Sequence, residues 1–338
     1  MKNKFLISVL WSFLFALSSF AFALQAATNS AAKVPIRVGL ILDKGGKDDK
    51  SFNSAAYLGA TLAEKELGIQ LKYIEATDDA AIETMMRSFA QKKYDLVIGI
   101  GFAMTDAVKK VSPLFPEVKF ALIDAEVPGA NVTSLLFEEH QGSYLVGALA
   151  AMNSKNKKVG FLGGMDVPLI HRFQMGYEAG AKSIDPKIAV IINYVGVDSS
   201  AWNNPAKAKE LSLTQYRSGV DVIFGAAGAS NNGLFDAVEE TKKLAIGVDS
   251  NQNWVKPGLV LTSMLKRVDV AVLEVIKETN SGKFKAGTVR FGLKDKGIDY
   301  AVDQYNSKFF TAETSKKMEK IKQDIIAGKI KVPDYYKK

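Results

Sequence analysis

The feature that most constrains the fold is a regular alternation of apolar runs with helical segments, beginning at residue 36. The runs "IRVGLIL", "IQLKYIEA", "YDLVIGIG" and "VKFALID" are short and nearly continuously apolar, as in strands buried on both faces of a parallel sheet. The segments between them have the spacing of amphipathic helices. The first helix is predicted over residues 51–67, with Ser51 as its N-cap and Gly68 as its stop.

A second series with the same rhythm follows the basic linker "SKNKK", with strands predicted at "KVGFLGG", "IAVIINYVG", "VDVIFGAAG", "LAIGVD" and "LVLTSMLK". Short strands and a last helix come later, and we expect those strands to return to the first sheet. The predicted fold class is α/β, with two doubly wound Rossmann-like lobes and a ligand cleft between them. The N-terminal lobe is expected to comprise residues 34–138 and 268–310, and the C-terminal lobe residues 139–267. The C-terminal helix and tail, residues 311–338, are not assigned to either lobe.

The first 26 residues have the layout of a secretory signal peptide. Two lysines precede a long apolar run, and small residues follow it at Ala21, Ala23 and Ala26. This pattern favours a cleaved signal over a membrane anchor and predicts an exported soluble protein of the periplasm. The sequence contains no cysteine, so we expect no disulfide and no lipid-modified N-terminal cysteine.

The basic charge of the chain does not indicate a nucleic-acid partner. The formal net charge is +8 at pH 7, but the lysines are spread over helical faces and a lysine-rich tail, interleaved with acidic residues. A nucleic-acid surface requires clustered Arg and Lys with interleaved aromatic residues. We therefore expect no nucleic-acid binding.

Ligands of open α/β sheets bind beyond the carboxyl ends of the strands, so the segments after each predicted strand are the candidate site. These segments are 43–53, 101–104, 124–126, 163–173, 196–204, 225–231, 249–253 and Lys266. They contain aspartates at the strand ends, several glycines, and the aromatic residues Phe52, Phe173 and Trp202.

These segments do not match the patterns of phosphate, metal or catalytic sites. "GGKDDKSFN" is not a Walker loop, and "GIGFAM" lacks the third glycine of a dinucleotide fingerprint. The two histidines, His140 and His171, lack the spacing of a zinc site. No G-x-S-x-G elbow or cysteine nucleophile is present. We therefore predict no cofactor, no metal and no catalytic residue.

Binding without chemistry explains the strand-end residues more simply. Carboxylates such as Asp249 can accept hydrogen bonds from vicinal hydroxyls, and asparagine offers both a donor and an acceptor to a heterocycle. Phe52 and Trp202 come one from each series and could hold a planar ring between them. Lys266 could donate to ribose oxygens.

Seven segments resemble the basic membrane protein family of substrate-binding proteins, the group of bacterial purine nucleoside receptors. They are "VGLILDKGGKDDKSFN", "FALIDAE", "HRFQMGYEAGA", "WNNPAKAKE", "IFGAAGAS", "AIGVDSNQ" and "TSMLKRVDVAV", in order along the chain after the N-terminal segment. The resemblance implies a type I periplasmic-binding-protein fold, a monomer that closes on its ligand, and an ABC transporter permease as partner.

The resemblance also implies roles for individual residues. Phe52 and Trp202 would stack on the two faces of the purine, while Asp43, Asn53 and Asp124 would read the edge of the base.

The ribose hydroxyls would be held by Asp249, Lys266 and the backbone around Gly228. The predicted ligand-binding residues are Asp43, Phe52, Asn53, Asp124, Phe173, Trp202, Gly228, Asp249 and Lys266. Two alternatives remain: the same fold binding riboflavin, a sugar or a signalling molecule, and an exported nucleoside-processing enzyme.

Overall fold

The computed structural model describes residues 34–337, so the predicted signal peptide, residues 1–26, lies outside the described residues. The strands are β1 (Arg37–Leu42), β2 (Gln70–Glu75), β3 (Leu96–Gly99), β4 (Lys119–Ile123), β5 (Val132–Phe137), β6 (Lys158–Met165), β7 (Ala189–Gly196), β8 (Val222–Ala226), β9 (Leu244–Asp249), β10 (Val260–Lys266), β11 (Gly287–Phe291) and β12 (Ile298–Tyr300).

The helices are α1 (Phe52–Leu67), α2 (Ile82–Gln91), α3 (Thr105–Val111), α4 (Glu139–Asn153), α5 (Pro168–Ile184), α6 (Pro205–Arg217), α7 (Asn231–Thr241), α8 (Val268–Asn280) and α9 (Ala312–Ile326). Within residues 34–337, none of these helices combines the length and apolarity needed to cross a bilayer.

The strands form two six-stranded sheets, one in each lobe. The first has the order β11-β5-β4-β3-β1-β2 and is parallel throughout. The second has the order β12-β10-β9-β8-β6-β7, in which β12 alone runs antiparallel. The central strands are buried because their apolar runs are covered by helices on both faces. The predicted two-lobed α/β architecture is confirmed.

Glycines allow the helices of each lobe to pack closely. A Cβ on Gly59 of α1 would lie 2.2 Å from the carbonyl oxygen of Asp269 in α8, so glycine at this position lets the backbones of the two helices pack against each other. In the second lobe, a Cβ on Gly147 of α4 would lie 2.1 Å from the carbonyl oxygen of Tyr177 in α5. Helix α8 therefore belongs to the first lobe, while α4 and α5 form a tight pair in the second.

The late elements divide between the lobes, which corrects one expectation. Strand β11 joins the first sheet as expected, but β12 pairs with β10 in the second sheet, although residues 268–310 were predicted to lie in the N-terminal lobe. Ile298 is fully buried there, and its side chain lies with that of Met264 over Gly142 of helix α4. Helix α9 also lies on the second lobe, where the Lys322 ammonium contacts the Asp299 carboxylate at 2.7 Å.

Three crossovers join the lobes in the described chain: β5 to α4, β10 to α8, and β11 to β12. They lie side by side and are bonded to one another. The Glu138 N–H donates to the Phe291 carbonyl at 2.8 Å, and the Arg267 N–H donates to the Gly297 carbonyl at 2.9 Å. Adjacent crossovers that are bonded to one another form a hinge about which two lobes can rotate.

Candidate ligand-binding cleft

The carboxyl ends of the strands in both sheets face one cleft between the lobes. Its central cavity has an empty volume of about 550 Å³, part of it open to solvent. All nine residues predicted from the sequence line this cavity: Asp43, Phe52, Asn53, Asp124, Phe173, Trp202, Gly228, Asp249 and Lys266.

The loop between β1 and α1 is organised by two carboxylates that bond Asn53. The Asn53 side chain donates to the Asp43 carboxylate at 2.6 Å and to the Asp49 carboxylate at 3.0 Å. Its amide oxygen accepts the Asp43 N–H at 3.0 Å. Asn53 is thus fixed at the cleft wall with its orientation set by two partners.

Asp49 caps helix α1, which corrects the expected role of Ser51. The Asp49 carboxylate accepts the backbone N–H groups of Ser51, Asn53 and Ser54 at 2.8–3.0 Å. Ser51 occupies the N-cap position, but its side chain makes no capping bond. The predicted end of the helix is confirmed: Gly68 is left-handed, with φ 65°, and its N–H donates to the Glu64 carbonyl.

Two of the strand-end aspartates have a left-handed backbone. Asp124 has φ 71° and Asp249 has φ 63°, a conformation that costs about 1–3 kcal/mol for a residue other than glycine and that clusters at functional sites. Both carboxyl groups are buried at the cleft. The left-handed turn directs each strand end, and its side chain, into the space between the sheets.

Burial raises the pKa values of the cleft carboxyls. The pKa of Asp43 rises to about 6, although bonds from Asn53 and the Gly45 N–H oppose the rise. The pKa of Asp124 also rises to about 6, opposed by Lys266. Burial raises the pKa of Asp249 to about 7, opposed by the charge of Lys266 and the Ser51 hydroxyl.

Lys266 is the buried cation at the centre of these acids. Its ammonium contacts the Asp124 carboxylate at 2.6 Å and the Glu139 carboxylate at 3.2 Å. Burial alone would lower the pKa of Lys266, but the charges of Asp124, Glu139 and Asp249 outweigh this and hold the pKa above its usual value. The ammonium also lies 5.1 Å from the ring centre of Phe52, within the distance of a cation–π contact.

The second carboxylate oxygen of Asp124 is unsatisfied. Among the residues that the structure describes, Oδ1 of Asp124 is buried and has no hydrogen-bond partner, while Oδ2 is bonded to Lys266. A buried acceptor without a partner destabilises a protein by about 1–3 kcal/mol. The cleft therefore offers an acceptor to a ligand that carries an N–H or O–H donor.

Aromatic rings form much of the remaining wall. Phe52 and Phe102 come from the first lobe, and Phe173 and Trp202 from the second. The Trp202 indole lies edge-on to Phe102, with ring centres 6.4 Å apart and planes at 70°. A Cβ at Gly164 would lie 2.3 Å from the indole, so glycine at that position makes room for it.

The two lobes touch each other across the cleft. The Ser51 hydroxyl of the first lobe donates to the Asp249 carboxylate of the second at 2.5 Å. The Ser250 hydroxyl donates to the Ser51 carbonyl at 3.0 Å, and the Gln252 side chain donates to the Lys50 carbonyl at 3.0 Å. The structure therefore has the lobes in contact around the cavity.

The sequence prediction missed four residues that shape the cleft. Phe102 lies in the segment 101–104 and Asp49 in the segment 43–53, both of which the strand-end rule had singled out. Ser51 also lies in the segment 43–53 and contacts Asp249 from the other lobe, and Glu139 is the first residue of α4, two positions after the end of β5. The pair of glutamates directly after β5 was the available signal for Glu139.

Comparisons with known proteins agree with this architecture. Residues 36–335 match the family model described as ABC transporter substrate-binding protein, PnrA-like. The chain is 34% identical over 331 residues to the ABC transporter nucleoside-binding protein BmpA of Lactococcus lactis subsp. cremoris, covering 91% of this chain and 92% of that protein. It is 33% identical over 285 residues to an uncharacterized lipoprotein of Pyrococcus abyssi, covering 81% of this chain and 70% of that protein.

The Pyrococcus relative is named a lipoprotein, whereas the present sequence has no cysteine that could carry a lipid. The relative's name therefore differs from the expectation of a receptor without a lipid anchor. Among solved structures, an ABC transporter solute-binding protein from Aeropyrum pernix is similar with a TM-score of 0.82 and 31% identity, covering 88% of this chain and 94% of that chain. The type I periplasmic-binding-protein fold is confirmed. The chain belongs to the PnrA-like family of ABC transporter substrate-binding proteins.

Proposed function

We propose that this protein is the periplasmic receptor of an ABC importer and that it binds purine nucleosides in the cleft by hinge closure. The observation that carries the proposal is the pairing of aromatic walls with buried acceptors in one cavity. The nucleoside-binding name of the Lactococcus relative supports the same ligand class.

The aromatic walls suit the planar base. We propose that Phe52 and Trp202 stack on the two faces of the purine, with Phe102 and Phe173 completing the apolar enclosure. Phe52 lines the cavity from the first lobe and Trp202 from the second, so the two rings would enclose the base only when the lobes close. Aromatic stacking is worth about 1–3 kcal/mol per base, enough to favour a base over a ligand of similar size without a planar ring.

The polar groups suit the edges of a nucleoside. Asp43, Asn53 and Asp124 are assigned to the base edge, where the free Oδ1 of Asp124 would accept a ring or amino N–H. Asp249 and Lys266 are assigned to the ribose hydroxyls, together with the backbone at Gly228. Gly228 has φ 55°, a left-handed backbone that glycine favours.

A receptor role requires no bond-making group, and we propose that the protein is not an enzyme. The cleft carboxyls are engaged with Asn53, Ser51 and Lys266, an arrangement suited to accepting hydrogen bonds from a ligand. We also propose that the partner is an ABC transporter permease and that the ligand is a nucleoside rather than riboflavin or a sugar.

The experiment is to identify what the natively purified protein carries. Mass spectrometry of the small molecules released on denaturation is expected to find guanosine, inosine or adenosine. Release of a sugar or a flavin as the stoichiometric ligand would contradict the proposal. Incubation with nucleosides should leave them intact, and accumulation of free base would indicate the enzyme alternative.

A further inference from the structure

A second buried cation, Arg172 on helix α5, lies behind the cleft next to the hinge. Its guanidinium donates to the Phe137 carbonyl at 2.7 Å and to the Glu139 carboxylate at 2.5 Å. It also contacts the Glu138 carboxylate at 3.3 Å and the ring of His140 at 3.1 Å. Arg172 therefore bonds directly to the first crossover between the lobes.

Glu139 connects this guanidinium to the ligand cleft. One of its carboxylate oxygens accepts from Arg172, and the other lies 3.2 Å from the Lys266 ammonium. Lys266 in turn contacts Asp124 at the cavity wall. The Glu139 side chain is only 1% exposed, so its two cationic partners, rather than water, determine its position.

The C-terminal segment, residues 330–337, completes the environment of Arg172. The Asp334 carboxylate accepts two bonds from the guanidinium, at 2.7 and 3.1 Å, and the Tyr336 ring centre lies 4.8 Å from it. Bidentate pairs of this kind fix orientation as well as charge. The pKa of Asp334 is lowered, since the bonds and charge of Arg172 outweigh the burial that would raise it.

A metal ion does not explain this cluster. The side chains of Glu138, His140 and Asp334 approach closely enough to hold a cation. Each of them already contacts the Arg172 guanidinium, which supplies the positive charge at that place.

We propose that Arg172 and Asp334 are positioning residues for Lys266, and that the C-terminal segment is thereby a functional part of the ligand cleft. Without the Asp334 carboxylate, Arg172 keeps its charge and attracts the Glu139 carboxylate more strongly. The Glu139 carboxylate then moves away from Lys266, and the Lys266 ammonium changes its position in the cavity wall. The effect on ligand affinity rests on the proposed function, whereas the movement of Lys266 does not.

The first experiment examines Lys266 in the ligand-free protein. Lysine is labelled with ¹³C at Cε, and the Lys266 resonance is assigned by its loss in Lys266→Met. Asp334→Asn is expected to shift this resonance. The control is Asp324→Asn, which removes a carboxylate of helix α9 that pairs with Lys320 and Lys329 and does not line the cleft. An unchanged Lys266 resonance in Asp334→Asn would overturn the proposal.

The second experiment measures nucleoside affinity by calorimetry. Asp334→Asn is expected to weaken binding about three- to thirtyfold, the usual size of coupling through a packed network, and Asp324→Asn to leave it unchanged. In a Glu139→Gln background, Asp334→Asn should have no further effect, because the path through Glu139 is already broken. A purely structural role would give the same loss in both backgrounds and would contradict the proposal.

The two readouts separate the two proposals. A shifted Lys266 resonance in a protein that binds no nucleoside would refute the proposed function and leave the positioning role supported. A shifted resonance with unchanged nucleoside affinity would refute the functional role of the C-terminal segment. If Asp334→Asn does not fold, Tyr336→Leu tests the other contact of the C-terminal segment with Arg172, because the Tyr336 ring centre lies 4.8 Å from the guanidinium and Tyr336 is 54% exposed; it is expected to shift the Lys266 resonance, and an unchanged resonance would overturn the proposal.

Discussion

Removing the hydroxyl of Ser51 should weaken ligand binding without removing any group assigned to the ligand. The hydroxyl joins the first lobe to Asp249 of the second at 2.5 Å, with Ser51 fully buried and Asp249 7% exposed. This bond can exist only when the lobes are in contact. Ser51→Ala therefore acts on the closed state alone, and helix α1 keeps its cap because Asp49 provides it.

The size of the effect follows from the charge of the acceptor. A hydrogen bond to an ionised group contributes about 1.5–3 kcal/mol net. If only the closed protein holds ligand, this appears in full as a loss of affinity, roughly 10- to 150-fold. The measurement is made at about pH 8, above the pKa of Asp249, which burial raises to about 7.

Calorimetry with guanosine measures the affinity, and stopped-flow fluorescence of Trp202 measures the dissociation rate. Dissociation should accelerate by about the same factor as affinity falls. The control is Ser54→Ala, whose hydroxyl bonds the Ser51 carbonyl within the first lobe. An affinity of Ser51→Ala within about twofold of the wild type would refute the view that this bond holds the lobes together.

Three further predictions concern the pH dependence, the aromatic wall and the loop. Because burial raises the pKa of Asp249 to about 7, this carboxyl binds more protons in the ligand-free fold than in the unfolded chain between about pH 4 and 7, and its contribution to the unfolding free energy falls as pH rises there. Urea titrations of Asp249→Asn should therefore show an unfolding free energy that rises relative to the wild type over that pH range; a difference that does not change with pH would contradict this. Phe52→Ala should weaken guanosine binding roughly 5- to 150-fold by calorimetry, while Phe284→Ala, outside the cavity, should not; equal losses would argue against stacking. Asp49→Ala should lower the unfolding free energy by about 1–2 kcal/mol in urea, and the exposed Asp48→Ala should not; no loss would exclude the capping role.

Much of the fold could be predicted because parallel strands carry a strong local signal. Apolar runs such as Leu40 to Leu42 are continuous, and most of them are separated from the next by a helix. The strand-end rule then brings Asp43, Asp124 and Asp249 to one cleft without any knowledge of the packing. The position of β12 could not be predicted, because three residues carry too little pattern to select a sheet.

The rest of the cleft depends on contacts between distant parts of the chain. Ser51 has the sequence context of a helix cap, yet its partner Asp249 lies 198 residues away. The sequence around Asp334 predicts a basic, exposed tail, yet Asp334 pairs with Arg172, which lies 162 residues away in the chain. Local propensity cannot reveal such pairs, since they form only after the lobes and the C-terminal segment have packed.

The most direct test of the central claim is calorimetric titration of guanosine into protein freed of ligand by unfolding and refolding. The account predicts saturable one-to-one binding to the wild type, with affinity strongly reduced in both Phe52→Ala and Asp249→Ala. Unchanged affinity in both variants, or no binding of guanosine, inosine or adenosine by the wild type, would contradict it.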